Sequence, residues 1–173
     1  LRPLEGELAL LRLSLLPLRI GHLPDSAMVA RQIGSTRLVT CASPDYLSTA
    51  PAIDTPAALQ DHACILFAAQ GRHWYYRDGD REQAEEITPR LTCNQIRSAS
   101  LACVQGLGIT RLMHYQVADE LADGRLVRLL KDYEPEDLPI QLVYPHSLQL
   151  SPRVRAFVEW VCPRLERGLP GLG

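Results

Sequence analysis

The strongest constraint on this chain is an alternation. Short stretches of branched and apolar residues, too short for helices, take turns with segments that carry helix-start signals. The apolar stretches are LRLSLL (11–16), PLRIG (17–21), MVARQI (28–33), RLVTCA (37–42), ACILFA (63–68), HWYYR (73–77), EITPRLTC (86–93), GITRL (108–112), RLVRLL (125–130) and IQLVYP (140–145). Several are apolar at successive positions, as strands buried on both faces are. Three segments open with Ser or Thr followed by Pro: SPDYL from Ser43, TPAALQD from Thr55 and SPRVRAFVEWV from Ser151. In each, the hydroxyl can accept from the first free N–H groups, and proline at the first helical position sacrifices no hydrogen bond. The alternation predicts an α/β fold with a mainly parallel sheet.

The segment from Ser151 is the clearest helix. Val154, Phe157, Val158, Val161 and Leu165 share one helical face, and Arg153, Arg155, Glu159 and Arg164 fall elsewhere. Pro163 is expected to weaken or kink its last turn, and ERGLPGLG reads as a frayed end. MHYQVADELADG predicts a short helix with Val117 and Leu121 inward and Gly124 as its stop. RDGDREQAEE is polar throughout and reads as a hairpin turn or exposed loop.

Composition narrows the function classes. The 173 residues, 46% of them hydrophobic, suffice for one domain or two small lobes. Eighteen basic residues against 20 acidic ones give a net charge of −2, with no basic patch or stripe for nucleic acid. A DNA-binding part, if the protein has one, is expected outside this sequence. No apolar run reaches the roughly 18 residues of a membrane span. The opening LRPLEGELALLRLSLLPLRIG is broken by Glu5, Glu7 and Arg12 and lacks a small-residue cleavage site, so no signal peptide is expected. Since the first residue is not Met, a longer parent protein is expected.

Cys41, Cys64, Cys93, Cys103 and Cys162 are odd in number, lack a C-x-x-C and sit among apolar neighbours. They read as buried, reduced thiols of a cytoplasmic protein. His22, His62, His73, His114 and His146 show no metal-ligand spacing. Neither a metal nor another cofactor is expected. No Ser lies in a G-x-S-x-G, and Cys103 sits mid-helix among apolar residues, so no enzyme is expected.

The stretch NQIRSASLACVQGLGITRL (94–112) carries the sharpest local question. Gly106 and Gly108 suggest a phosphate loop, but the third glycine of a dinucleotide fingerprint would fall on Arg111, and Gly-Lys-Ser/Thr is absent. The order is also reversed: strand EITPRLTC, then a helix over SASLACVQ (98–105), then the glycines. Gly106 therefore reads as a helix C-cap and Gly108 as a tight turn into the next strand. The other end of that helix is the candidate site. Ligands of open α/β sheets bind outside the C-terminal ends of strands. A helix N-terminus near Ser98 offers free N–H groups to an anion, and Arg97 adds a guanidinium fork suited to a carboxylate. The alternative, Ser98 as a simple cap and Arg97 as a solvated side chain, stays open on these residues alone.

The blocks PLRIGHLPDSAMVARQIGSTRLVTCASPDYLS, TPAALQDHACILF, NQIRSASLACVQGLGITRL, VADELADGRLVRLLKDY and PIQLVYPHSLQLSPRVRAFVEWV, in this order, resemble the regulatory domain of LysR-type transcriptional regulators over roughly residues 17–165. The resemblance implies two α/β lobes like type 2 periplasmic binding proteins, joined by two crossover strands. Lobe one would hold residues 1–35 and 141–173, and lobe two residues 36–140. A small effector would bind between the lobes, with His22, Asn94, Gln95, Ile96, Arg97, Ser98 and Tyr144 in lining positions. A carboxylate or other anion suits those residues. The resemblance further implies a homodimer or homotetramer, with LRPLEGELALLRLSLL packing on lobe two of a neighbour. DNA would be bound only through an N-terminal winged helix-turn-helix absent from this chain. Relative to the family, lobe one is expected to be incomplete, without a strand and a helix start before LRPLEGELALL and without a helical segment between LRLSLL and RIG. A solute-binding protein of the same fold is the alternative, and five unpaired cysteines speak against it.

Overall fold

The computed structural model describes residues 17–21, 28–146 and 151–168, with side chains to residue 165. The stretch LRLSLL, His22 and the tail beyond Gly168 lie outside the described residues. The chain divides into two compact units: Leu1–Thr36 with Leu138–Gly173, and Arg37–Asp137. It passes between them at Thr36–Arg37 and again at Asp137–Leu138.

Unit two is built on a five-stranded sheet ordered β7-β4-β8-β3-β9. These strands are β3 (Leu38–Ala42), β4 (Cys64–Phe67), β7 (Pro89–Cys93), β8 (Ile109–Met113) and β9 (Val127–Leu129). Only β4–β7 and β4–β8 are parallel; β3 runs antiparallel to both β8 and β9. The expected mainly parallel sheet is thus a mixed one. Strand direction depends on where the chain re-enters the sheet, and β3 enters from unit one.

Successive residues of these strands feed two apolar cores, one on each face. Val39, Cys41, Ile65 and Leu112 pack with Ala99 and Cys103 of helix α2 (Ile96–Val104), and with Val117 and Leu126. Ala42, Cys64, Leu66 and Ile109 pack on the opposite face with Leu59, Trp74, Tyr76, Ile87 and Leu130. Trp74 and Tyr76 come from β5 (His73–Asp78), which pairs antiparallel with β6 (Arg81–Glu86). The polar REQAEE is therefore a strand; the expected turn is confined to the residues around Gly79, whose φ is +58°. The ladder and the buried aromatics of β5 hold β6 despite its polarity. Tyr76 keeps a polar partner inside, its hydroxyl lying 2.8 Å from Thr40 Oγ1.

The Ser-Pro and Thr-Pro starts divide. Helix α1 (Pro44–Leu47) is capped by Ser43, whose Oγ accepts from the Tyr46 N–H at 3.2 Å. Pro56–Asp61 is a 3-10 helix, not an α-helix, and Thr55 makes no side-chain cap. His114–Gln116 is a 3-10 turn leading into the short helix α3 (Ala118–Ala122), and Gly124 at φ +72° ends that segment.

Unit one is a three-stranded antiparallel sheet, β1 (Leu18–Ile20), β10 (Leu138–Pro145) and β2 (Met28–Thr36), with β10 in the centre. Helix α4 (Pro152–Gly168) belongs to the same unit, and Val154, Val158 and Cys162 pack with Ile33, Ile140, Leu142 and Tyr144 of the sheet. The helix continues through Pro163 to Gly168. Cys162 and Leu165, on either side of the proline, pack in the same cluster, which offsets one lost backbone hydrogen bond.

All five cysteines are buried and unbridged. The Cys41 thiol is pushed well above its usual range, first by its hydrogen bond with Cys103 and then by burial. Burial pushes Cys64 up to about 12. Thiols held protonated in this way are poor nucleophiles. Among the described residues no helix is long and apolar enough to cross a membrane, and no group of three His, Cys, Asp or Glu is placed to hold a metal ion.

Candidate site at the N-terminus of helix α2

The parallel strands of unit two deliver their C-terminal ends to one edge of the sheet. Phe67 of β4 lies in register with Cys93 of β7, and β8 runs the same way. That edge therefore presents the turn Ala68–Gln70, the loop Asn94–Gln95, and His114, whose N–H donates to the Arg37 carbonyl at 2.8 Å. This is the edge at which sheets of this kind bind ligands.

Helix α2 starts there, two residues earlier than the sequence suggested. Gln95 is its N-cap, extended at φ −124° and ψ 136°, and makes no side-chain cap. Ser98 is inside the first turn and so is not the cap. The helical ladder begins when the Ala99 N–H donates to the Gln95 carbonyl at 3.2 Å. The N–H groups of Ile96, Arg97 and Ser98 precede it and point out of the helix end. No acidic residue stands in the first turn. The end therefore keeps its partial positive charge for an external anion.

Asn94, Gln95, Arg97 and Ser98 are exposed, while Ile96 is half-buried against the core. Among the described residues Arg97 makes no ion pair. A cavity of about 480 Å³ runs along this side of α2, lined by Ile96, Arg97, Ser100, Leu101, Tyr115 and Arg125, among others. Arg125 is already engaged with Glu120 and Asp123. The structure thus brings Ile96 and Arg97 to a common cavity, whereas Asn94, Gln95 and Ser98 do not line it. Tyr144 belongs to unit one, where its side chain is buried with Ile140, Leu142 and Val158.

Sequence reasoning missed Ser100, Leu101, Tyr115 and Arg125. The signal for the first two was available: with Ile96 and Arg97 they repeat at a spacing of four along one helix face. Tyr115 and Arg125 reach the cavity only through the fold. The far end of α2 is closed by backbone bonds. The Leu107 N–H donates to the Ala102 carbonyl at 3.1 Å and the Gly106 N–H to Cys103 at 3.0 Å, with Gly106 at φ +76°. This is a Schellman closure. Gly108 serves a close approach: a Cβ there would lie 2.1 Å from the Ala63 carbonyl oxygen, which accepts from the Ile109 N–H at 2.8 Å.

The comparisons agree on one family. The LysR substrate binding domain matches residues 16–165. An uncharacterized HTH-type transcriptional regulator of Escherichia coli, YhjC, is 30% identical over 158 residues, covering 83% of this chain and 50% of that protein. The HTH-type transcriptional regulator PtxR of Pseudomonas aeruginosa is 32% identical over 154 residues, covering 88% of this chain and 49% of that one. The chain spans about half the length of these relatives. Among solved structures, the regulatory domain of AphB from Vibrio vulnificus superposes with a TM-score of 0.73 at 29% identity, covering 86% of this chain and 74% of that one. The regulatory domain of CrgA, from Neisseria meningitidis, gives 0.72 at 27% identity, covering 87% and 74%.

Proposed function

Because the chain belongs to the LysR-type regulators, as their regulatory domain with the type 2 periplasmic-binding-protein-like fold, we propose that it senses a small anion, most simply a carboxylate, at the N-terminus of helix α2. The observation that carries this reading is the uncapped helix end with Arg97 beside it. Backbone N–H groups of Ile96, Arg97 and Ser98 would hold the anion, Arg97 would add a bidentate cation, and Asn94 and Gln95 would select among acids by their amides. The domain performs no chemistry in this reading. Effector binding shifts the population of its conformations, and a DNA-binding part of a longer, cytoplasmic protein turns that shift into transcriptional control.

A thermal-shift screen of small organic acids tests it. One or more acids should raise the melting temperature, as a ligand selective for the folded state must. Stabilisation by neutral or cationic compounds only would sink the reading.

We also read the domain as associating with copies of itself, as a homodimer or homotetramer. Leu101 on α2 and Leu107 just after it, 58% and 47% exposed, favour such a contact on unit two. Light scattering on a Leu101→Asp variant checks it; an unchanged oligomeric state would remove Leu101 from the interface.

A further inference from the structure

The segment that carries the chain out of unit two is acidic, Glu134-Pro135-Glu136-Asp137, and each acid is taken by a different arginine. Arg128 on β9 donates to both oxygens of Glu134, with Nε to Oε1 at 2.5 Å. Arg77 on β5 pairs with Glu136, while its Nε donates to the Gly79 carbonyl at 2.8 Å. Arg37, the first residue of unit two, donates to Asp137, the last, at 2.7 Å. Three separate parts of the unit thus grip four consecutive residues.

Two further features mark the segment. It is preceded by Leu130, the one described non-glycine residue with positive φ, at +53°. A bulky side chain resists that conformation, and it persists only where the surroundings over-determine it. Leu130 is held by burial in the core beside Trp74 and Tyr76. The second feature is Arg111, only 4% exposed, whose guanidinium lies 4.7 Å over the Tyr76 ring. Among the described residues its Nε has no hydrogen-bond partner. Burial holds the Arg111 guanidinium below its ordinary range, against the attraction of Tyr76 and Glu134. Glu134 therefore balances two cations, Arg128 directly and Arg111 through the field.

We propose that Leu130–Asp137 is an ionic latch that fixes the return crossover to unit two, with Glu134, Glu136 and Asp137 as positioning residues that set where β10 begins. It rests on the reading above only in its purpose, that effector binding shifts the population of the domain's conformations. The three pairs are unequal. The Arg77 and Glu136 side chains are 39% and 77% exposed, so that pair contributes little. The Arg128–Glu134 pair is bidentate, with the Glu134 side chain 7% exposed, and dominates.

Hydrogen–deuterium exchange on this chain, followed by mass spectrometry, tests the latch without any effector. In Arg37→Gln/Arg128→Gln the amides of residues 131–138 should exchange about tenfold faster, those of β4 and β8 staying as they were. Arg77→Gln alone should change them less than about threefold. Raising the salt from about 0.05 to 0.5 M should also speed exchange in this segment first. Unchanged exchange in the double variant overturns the latch, and so does acceleration spread evenly over the unit. Should the double variant fail to fold, Arg37→Asp takes its place. It should speed exchange across 136–138, and Asp137→Arg added to it should restore protection; no restoration overturns the proposal. Failure here leaves the effector reading intact, and failure of every acid to bind leaves the latch intact.

Discussion

The two ends of helix α2 are built on opposite terms. At the C-terminus Gly106 turns into the left-handed region, two backbone bonds close the last carbonyls, and Gly108 lets the chain pass against Ala63. At the N-terminus the Gln95 side chain does not cap the helix, the first turn holds no acid, and Arg97 increases its positive charge. Closing the last turn with its own backbone gives rigidity at one end. Leaving the other end of the same rod uncapped by Gln95 leaves N–H groups of the kind that suit an anion. The residues that draw the eye in the sequence, the glycines, are at the closed end.

Substitutions at both ends should separate the two roles. Gly108→Ala carries the largest expected effect, about 3 kcal/mol or more of stability, since a Cβ would sit on a backbone oxygen that cannot swing away. Urea denaturation measures it, and a loss under 1 kcal/mol would mean that the strand shifts freely. Arg97→Ala should leave stability within about 0.5 kcal/mol but weaken binding of any stabilising acid about tenfold or more, by calorimetry. Unchanged affinity would remove Arg97 from the site. Gly106→Ala should cost about 1 kcal/mol, because the left-handed conformation is strained for alanine even though the space beside it is open enough. Ser98→Ala should be smallest, within about 0.5 kcal/mol; a loss near 1 kcal/mol would restore Ser98 as a cap.

A slower probe is alkali. Burial holds Tyr76 and Cys64 up to about 12 each. Both are neutral in the folded chain at pH values where the unfolded chain already ionises. Their stabilising contribution is full below the unfolded values, roughly 8.5 for cysteine and 10 for tyrosine, and is lost as pH rises toward 12. Tyr76→Phe should flatten the tyrosine part of that decline in a pH series of melting curves.

What the sequence made legible was local. The Ser43 cap, the Gly106 stop, the Gly124 stop and the apolar strands all depend on neighbours within a few residues. The same locality misled at Thr55, where the signal was present but the segment settled as a 3-10 helix without a cap. It also misplaced the start of α2, because Gln95 takes the extended N-cap position without looking like a cap. Of the candidate site, the strand end meeting a helix start at Asn94–Arg97 was legible, whereas Tyr115 and Arg125 are brought to the cavity beside Arg97 by the chain between β8 and β9.

By itself, then, the order of residues determined most of the apolar strands, the two glycine roles and the family, since each rests on short-range sterics or on motif order. Only the tertiary structure decided the strand directions, the polar strand β6, the cavity beside Arg97 and the arginines that grip Glu134, Glu136 and Asp137. These depend on pairings between residues up to 100 apart, as Arg37 and Asp137 are, and no local signal encodes which distant partner a charge or a strand edge will meet.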